Sequence, residues 1–252
     1  MAWQWAVILI ILLVLAVYFD FLRLFYLVRK TIFYYKRSKC FQKLQKNAKT
    51  RVLFLGDSTG FGFALNDVAK SVAGRFSKDF PDAEIVNRSI PGLLASGLSK
   101  RLKSGKLILK NERKYDLIVI QIAGIDIMRF SKIENTERNL NAIFMTAKTA
   151  LKKEGRIVFL PPGNIGLAPI FPPLLRFIYT RRTRKFRKMF TSVSKKNNVI
   201  FVDLFQERKD DFSLKDVKRY YINDYLHPSE EAYAFWYKKM REVLHDNKVK
   251  LN

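Results

Sequence analysis

The chain has 252 residues, a hydrophobic fraction of 48% and a formal net charge of +25. With one cysteine and two histidines it offers no cluster of metal ligands, so we expect neither a metal site nor another cofactor. The charge indicates an anionic partner. A lipid bilayer is favoured over nucleic acid, because no nucleic-acid-binding module is recognisable.

The first 30 residues indicate a membrane anchor. Residues 2–19 are apolar except for Gln4, a run just long enough to cross the hydrocarbon core of a bilayer. A secretory signal peptide is the main alternative, but no charged side chain precedes the run and no small-residue cleavage site follows it. A buried core helix is rarely so uniformly apolar. We therefore expect residues 1–30 to form a transmembrane helix.

A basic segment follows the anchor. Nine Lys and Arg residues lie between positions 29 and 51, with no acidic residue among them. By the positive-inside rule, this flank places the rest of a single-pass protein on the cytoplasmic side of the cell membrane. Residues 31–50 are predicted to form a juxtamembrane helix, either in the headgroup region or as a solvated linker.

Residues 51–252 alternate short apolar runs with amphipathic segments. This alternation predicts βαβ units, and hence one α/β domain with three α/β/α layers and a five-stranded parallel sheet. The predicted strands cover 51–55, 83–90, 116–123, 156–160 and 199–204, and the predicted helices cover 66–80, 93–102, 134–153, 174–196 and 230–244.

Two short motifs supply the groups that nucleophilic catalysis needs. Ser58 follows the first predicted strand in the tripeptide Gly-Asp-Ser, where open parallel sheets place their ligands. Asp224 and His227 lie three residues apart near the carboxyl end of the chain. A serine hydroxyl requires an imidazole to accept its proton and a carboxylate to orient that imidazole. Asp57 is expected to cap or brace the turn.

The sequence resembles the SGNH hydrolases, also called the GDSL esterase/lipase family. Residues 52–58 resemble the first conserved block, 84–92 the second, 117–126 the third, and 224–228 (Asp-Tyr-Leu-His-Pro) the fifth. The resemblance implies a flavodoxin-like fold with Ser58 as nucleophile and Asp224 and His227 as its partners. It also implies that the backbone N–H groups of Ser58 and Gly92 form the oxyanion hole.

One position departs from the family pattern. The third block normally carries an asparagine that donates to the oxyanion, and Ile125 stands there in this chain. Removing one such donor typically lowers turnover by about 10²–10³. The sequence therefore leaves open a slow enzyme, a replacement donor such as Gln121 or Asn87, or a loss of catalysis.

A proline-rich apolar segment, residues 161–175, is too long for an ordinary connection after the fourth strand. We expect it to form a lid or an acyl-binding wall that touches the bilayer. The alternative is a loop packed on the domain with a basic outer face. The residues expected to bind lipid or its headgroups are Phe171, Arg176, Arg181, Arg182 and Arg184.

These features together predict a membrane-tethered serine ester hydrolase, with a lipid or lysophospholipid ester as the favoured substrate. An acyltransferase or deacetylase of a cell-envelope glycan would use the same three residues. A catalytically impaired binding protein with this fold is the third alternative, because Ile125 removes a donor. The oligomeric state stays open.

Overall fold

The computed structural model of the protein describes residues 2–108, 112–210, 212–249 and 251. Strands alternate with helices beyond the long first helix. The strands are β1 (Arg51–Gly56), β2 (Glu84–Asn87), β3 (Tyr115–Gln121), β4 (Leu151–Phe159) and β5 (Ile200–Phe201). The helices are α1 (Ala2–Arg37), α2 (Ser58–Phe61), α3 (Val72–Asp79), α4 (Ala95–Lys103), α5 (Gly124–Met128), α6 (Ile133–Lys148), α7 (Pro173–Lys196), α8 (Val217–Tyr220) and α9 (Glu230–Asp246).

The strands form one parallel sheet in the order β2-β1-β3-β4-β5. This is the flavodoxin-like order, in which the chain runs outward from β1 in both directions and ligands bind beyond the carboxyl ends of the central strands. The expected five-stranded α/β fold is confirmed. The carboxyl ends of β1 and β3 lie side by side, since Gly56 pairs with Gln121.

Apolar side chains on the two faces of the sheet form two cores. On β1, Leu53 and Leu55 pack in the cluster beneath α4, α6 and α7, whereas Val52 and Phe54 pack in the cluster beneath α3 and α9. This alternation follows from the two-residue period of a strand. It covers both faces with helices, which gives the three expected layers.

Several element boundaries differ from prediction: β2 ends at Asn87 instead of 90, α6 at Lys148 instead of 153, and β5 at Phe201 instead of 204. The predicted helix over 66–80 starts later, because Val68–Lys70 form a 3-10 turn and Ser71 then begins α3 as its N-cap. Strand β4 begins at Leu151, before the predicted start at 156. Gly155 allows this, since a Cβ there would lie 2.8 Å from the carbonyl oxygen of Tyr115, at an irregularity in the pairing with β3.

The predicted helix over residues 31–50 is wrong as a separate element. Helix α1 continues to Arg37, and the chain from 38 to 50 is not helical. Instead, Lys43 exchanges two backbone hydrogen bonds with Ile85 on β2, at 3.0 and 2.8 Å. The unpaired N–H and C=O groups of this edge strand favour an extended partner over another helical turn.

Helix α1 is long and apolar enough to cross a membrane over Trp3–Tyr35. Most of its side chains up to Leu22 are exposed, whereas Leu27 is buried and Leu24 packs on the same core cluster. Arg23 donates a hydrogen bond to the carbonyl oxygen of Pro169 at 2.8 Å. The carboxyl-terminal part of the helix is therefore packed against the α/β domain.

Candidate active site

The turn after β1 places Ser58 at the carboxyl edge of the sheet. A Cβ at Gly56 would lie 1.9 Å from the carbonyl oxygen of Gln121, so only glycine lets the two strands approach this closely. The Asp57 N–H then donates to that same carbonyl at 2.9 Å. Ser58 is the first residue of α2, a position whose backbone N–H has no acceptor within its own helix.

Asp57 is the N-cap of α2, as predicted. Its Oδ1 accepts hydrogen bonds from the backbone N–H of Thr59 at 3.0 Å and from its hydroxyl at 2.9 Å. Burial raises the pKa of Asp57 to about 6, and the hydrogen bonds from Thr59 only partly oppose this effect. The carboxyl group braces the turn that carries Ser58.

Asp224 is fully buried in the loop before α9 and accepts hydrogen bonds at both of its oxygens. Oδ1 accepts from the backbone N–H groups of Leu226 at 2.9 Å and His227 at 3.0 Å. Oδ2 accepts from Nδ1 of His227 at 2.7 Å. Burial acts to raise the pKa of Asp224, but these hydrogen bonds and the His227 charge hold it below its usual value.

His227 joins this carboxylate to the serine. Because Asp224 accepts at Nδ1, that nitrogen carries the proton and Nε2 presents its lone pair to Ser58. The distance from Nε2 to Oγ of Ser58 is 3.1 Å. The ring of Phe63 packs on the imidazole, with ring centroids 4.3 Å apart. The three predicted side chains therefore form one continuous hydrogen-bonded chain.

A cavity of about 490 Å³ opens over this chain of groups. Ser58, His227, Gly92 and Ile125 all line it. Gly92 has a φ of +80°, and a Cβ there would meet no heavy atom within 4 Å, so its place faces open space. The loop that carries Gly92 is held from the third block, because Asp126 Oδ2 accepts from the Ala95 N–H at 2.9 Å.

Neither replacement donor suggested by the sequence reaches the cavity. Within the described residues the lining includes neither Gln121 nor Asn87. The Asn87 amide is already engaged, since it donates to the carbonyl of Gly60 at 2.9 Å and accepts from the N–H of Ser89 at 3.0 Å. Asn164 does line the cavity, but its amide donates to the carbonyl of Gln206 and accepts from Gly166.

The predicted lipid-binding set serves mostly within the domain. Phe171 is buried and packs on Tyr179. Arg176 donates to the carbonyl oxygens of Phe171 and Pro169, which fixes the proline-rich loop rather than a headgroup. Arg182 donates to the carbonyl of Ile127 at 2.8 Å and to that of Ser131. These three side chains contact carbonyl groups or the core, and a role in binding headgroups stays a prediction.

The two remaining arginines of that set are exposed. Arg184 forms an ion pair with Glu207 at 2.6 Å, whereas Arg181 lies over the exposed ring of Phe177, 5.6 Å from its centroid. The proline-rich loop itself does contribute a wall of the cavity. Its lining residues are Pro162, Gly163, Asn164, Ile165 and Ala168.

Several lining residues were missed from the sequence. Thr31, Ile32 and Tyr35 come from the end of α1, and Arg129 comes from the turn after α5. The hydroxyl of Thr31 lies 3.2 Å from Oδ2 of Asp224. Thr31 is the one serine or threonine within α1, and this was the available signal. Its partner Asp224 lies 193 positions away in the sequence, so the contact itself had no local signal.

Comparison with known proteins gives a consistent result. Residues 54–235 match the GDSL-like Lipase/Acylhydrolase family. No curated protein matches the chain. Among solved structures, TesA is 22% identical to this chain with a TM-score of 0.59. The match covers 77% of this chain and 98% of the TesA chain.

Two esterases of known structure are similarly related. The psychrotrophic esterase EstA from Pseudoalteromonas sp. is 19% identical with a TM-score of 0.54, covering 79% of this chain and 98% of its own. Axe2, an acetyl-xylooligosaccharide esterase from Geobacillus Stearmophilus, is 19% identical with a TM-score of 0.56. The match covers 78% of this chain and 94% of the Axe2 chain. At these identities the likeness shows the shared fold. The family match spans the Ser58, Gly92 and His227 motifs, and the chain belongs to the GDSL-like lipase/acylhydrolase family of SGNH hydrolases.

Proposed function

We propose that the protein is a membrane-tethered serine esterase that cleaves the carboxylic ester of a lipid, with a lysophospholipid as one candidate. The observation that carries this proposal is the chain of hydrogen bonds from Asp224 through His227 to Ser58, which ends at a cavity of about 490 Å³. This arrangement supplies a nucleophile, a base and an orienting carboxylate in contact with space for a substrate.

The reaction proceeds through an acyl-enzyme. Oγ of Ser58 attacks the ester carbonyl carbon while Nε2 of His227 takes the hydroxyl proton. The tetrahedral intermediate collapses, the C–O bond to the alcohol breaks, and the alcohol leaves with the proton from His227. Water then attacks the acyl group under the same base, and the carboxylic acid leaves as Ser58 regains its proton. Asp224 keeps the imidazole in the reactive tautomer and stabilises its charged form.

The backbone N–H groups of Ser58 and Gly92 are the proposed oxyanion donors. Gly92 supports this role because it lines the cavity and leaves open space where a side chain would stand. In this site Ile125 occupies the lining where a side-chain donor is usual in the family. The proposed enzyme therefore works with two backbone donors, and we expect modest turnover.

A lipid substrate is supported by what surrounds the cavity. Its lining includes Ile125, Ile165 and Trp236, and an apolar helix supplies one side through Ile32 and Tyr35. Such a surface matches an acyl chain, whose burial contributes about 0.8 kcal/mol for each CH₂ group.

The membrane tether is supported by the length and exposure of α1. The part from Ala2 to Leu22 would be about 31 Å long at 1.5 Å per residue, close to the thickness of the hydrocarbon core. Contacts of Arg23, Leu24 and Leu27 with the domain favour a helix that is retained over one that is removed. The basic flank favours a cytoplasmic domain.

A serine-directed fluorophosphonate probe tests the catalytic assignment. Ser58→Ala and His227→Ala should each abolish labelling and ester turnover, while Asp224→Asn should leave a small residual rate. Ser104→Ala and His245→Ala are matched controls, because both residues are exposed and lie outside the cavity. Labelling that persists in Ser58→Ala would contradict the proposal, and absent labelling in the wild type would favour a binding protein.

A series of p-nitrophenyl esters of increasing acyl length then tests the substrate class. For a lipid esterase, the rate of hydrolysis should rise from acetyl esters to esters of medium or long acyl chains. A marked preference for acetyl esters would instead favour the deacetylase or acyltransferase alternative. That alternative acts on a glycan, and acyl transfer to added sugar acceptors would identify it.

A further inference from the structure

We propose that helix α1 is part of the active site as well as an anchor. In this proposal Thr31 is a positioning residue for Asp224, and Ile32 and Tyr35 form the wall at the cavity mouth that an acyl chain meets. The inference rests on the proposed esterase function and deepens it. It names the residues outside the family domain that hold the carboxylate and select the substrate, since the family match begins at residue 54.

The first line of evidence is the contact between Thr31 and Asp224. The buried carboxylate accepts three hydrogen bonds from its own loop, and a fourth donor, the Thr31 hydroxyl, lies 3.2 Å from Oδ2. Oδ2 is the same oxygen that orients His227. The hydroxyl is also 3.2 Å from the carbonyl of Leu27, but a charged carboxylate is the stronger acceptor.

The second line is the way the helix is held. Leu27 is 3% exposed and packs in the core cluster, and it stands one turn before Thr31 on the same face of α1. Arg23, a further turn back, donates to the carbonyl of Pro169 in the proline-rich loop. These contacts fix the axial position of the helix, so Thr31 is held opposite Asp224 instead of reaching it by chance.

The third line is the position of the cavity mouth. Ile32 and Tyr35 line the cavity although their side chains are 56% and 55% exposed, so they stand at its entrance. Thr31 lies nine residues beyond Leu22, or roughly 14 Å along the helix axis. If Leu22 ends the hydrocarbon span, the entrance lies a few ångströms beyond a headgroup layer that is about 5–8 Å thick.

Large apolar side chains are exposed on the outer surface of α1 and at the start of α7, and Arg29 and Lys30 lie over the rings of Phe25 and Tyr26. Phe25, Tyr26 and Phe33 are exposed on α1, and Leu174 and Phe177 are exposed at the start of α7, close to the loop that Arg23 contacts. A water-facing surface of this kind would be unfavourable, whereas an interfacial location accommodates it. An amphiphilic ester can then enter from the leaflet with its chain against Ile32 and Tyr35.

The positioning role is tested with full-length protein in detergent and a short soluble ester. Thr31→Val removes the donor at nearly constant volume and should lower kcat by about 10-fold with little change in KM, as expected for a lost hydrogen bond to a charged group. Thr31→Ser keeps the hydroxyl and should restore most of the rate. Equal activity of Thr31→Val and the wild type, or equal damage from both variants at unchanged thermal stability, would overturn this role.

The wall is tested with the acyl-length series presented in phosphatidylcholine vesicles. Ile32→Ala and Tyr35→Ala should reduce the rate on long-chain esters much more than on acetyl esters. Val28→Ala on the same helix is the matched control, because Val28 is exposed and does not line the cavity. If the dependence of rate on acyl length is unchanged in both variants, the inference about α1 is overturned and the proposed function stands. A wild type that neither labels nor turns over would overturn the proposed function and this inference with it.

Discussion

At the scale of single residues, Ile125 stands where the resemblance to the SGNH hydrolases leads us to expect an oxyanion donor. It lines the cavity together with Ser58 and Gly92, whereas the two replacement donors that the sequence suggested, Gln121 and Asn87, are not part of the lining. A branched apolar side chain cannot donate a hydrogen bond, so in the proposed mechanism the developing oxyanion relies on the backbone N–H groups of Ser58 and Gly92.

Ile125→Asn should therefore raise kcat on a simple ester by about 10-fold or more, since one oxyanion donor can contribute roughly 3 kcal/mol. KM should change less, because the amide would act mainly on the transition state. Ile125→Leu is the control, since it keeps the apolar volume and adds no donor. Steady-state kinetics of the three proteins check this. A gain in Ile125→Leu equal to that in Ile125→Asn would assign the effect to the shape of the acyl pocket.

Asp57 gives a second prediction at this scale, concerning pH. Its pKa is about 6 in the folded protein against an ordinary 3.8, so between these values the folded state binds more protons than the unfolded state. Stability contributed by the neutral carboxyl is therefore lost as pH rises from about 4 to about 6. Asp57→Asn keeps an oxygen for the cap but does not titrate. Its free energy of unfolding above pH 6 should exceed that of the wild type by up to about 3 kcal/mol.

Thermal unfolding in detergent between pH 4 and 8 measures this difference. Asp67→Asn is the matched control, because Asp67 caps a 3-10 turn through the Ala69 N–H at 2.9 Å but is exposed to solvent. The control should follow the wild-type pH dependence. If Asp57→Asn also follows it, burial does not hold the Asp57 carboxyl in its neutral form.

At the scale of elements, the amino-terminal edge of the sheet is held by buried charges. Arg51 on β1 forms an ion pair with Glu84 on β2 and lies over the ring of Tyr115 on β3, 4.5 Å from its centroid. Glu112 completes the network through Arg88 at 2.7 Å. These side chains join three strands on the edge opposite Ser58, so they contribute to stability without touching the reaction.

Glu84→Ala should lower the free energy of unfolding by about 3 kcal/mol, because it leaves the buried Arg51 guanidinium without its nearest partner. Glu154→Ala is the matched control, since that glutamate is exposed on β4. The specific rate of the folded fraction should stay constant in both variants. Denaturant unfolding with a parallel esterase assay measures both quantities. Equal free energies of unfolding for the two variants would show that the attraction between Arg51 and Glu84 only offsets the cost of desolvating them.

The sequence was informative about this fold where the signal is local. The strand ending at Gly56, the capping role of Asp57 and the N-cap Ser229 each depend on neighbours within a few residues, and all three are present. Arginines were harder to place. Arg176 and Arg182 suggested an anion-binding face, but folding brings carbonyl oxygens to them, and those partners carry no side-chain signal.

At the scale of the whole molecule, charge and hydrophobicity are separated along the chain. The apolar residues of α1 precede nine Lys and Arg residues between positions 29 and 51, and the entire chain carries +25. Each basic residue near an anionic leaflet contributes about 1 kcal/mol of attraction. The same asymmetry favours the orientation in which the α/β domain stays with the basic flank, on the cytoplasmic side.

The orientation can be tested by cysteine labelling in intact cells. In a Cys40→Ala background, Ser104→Cys on the exposed turn after α4 should resist an impermeant maleimide until the cells are lysed. Gln4→Cys, at the exposed amino end of α1, should label without lysis because the proposed orientation places it across the bilayer. The opposite pattern would place the domain outside the cytoplasm, and the proposed chemistry would stand. Labelling of both positions without lysis would contradict the membrane-spanning role of α1 itself, since no bilayer would then separate the two ends of the apolar helix.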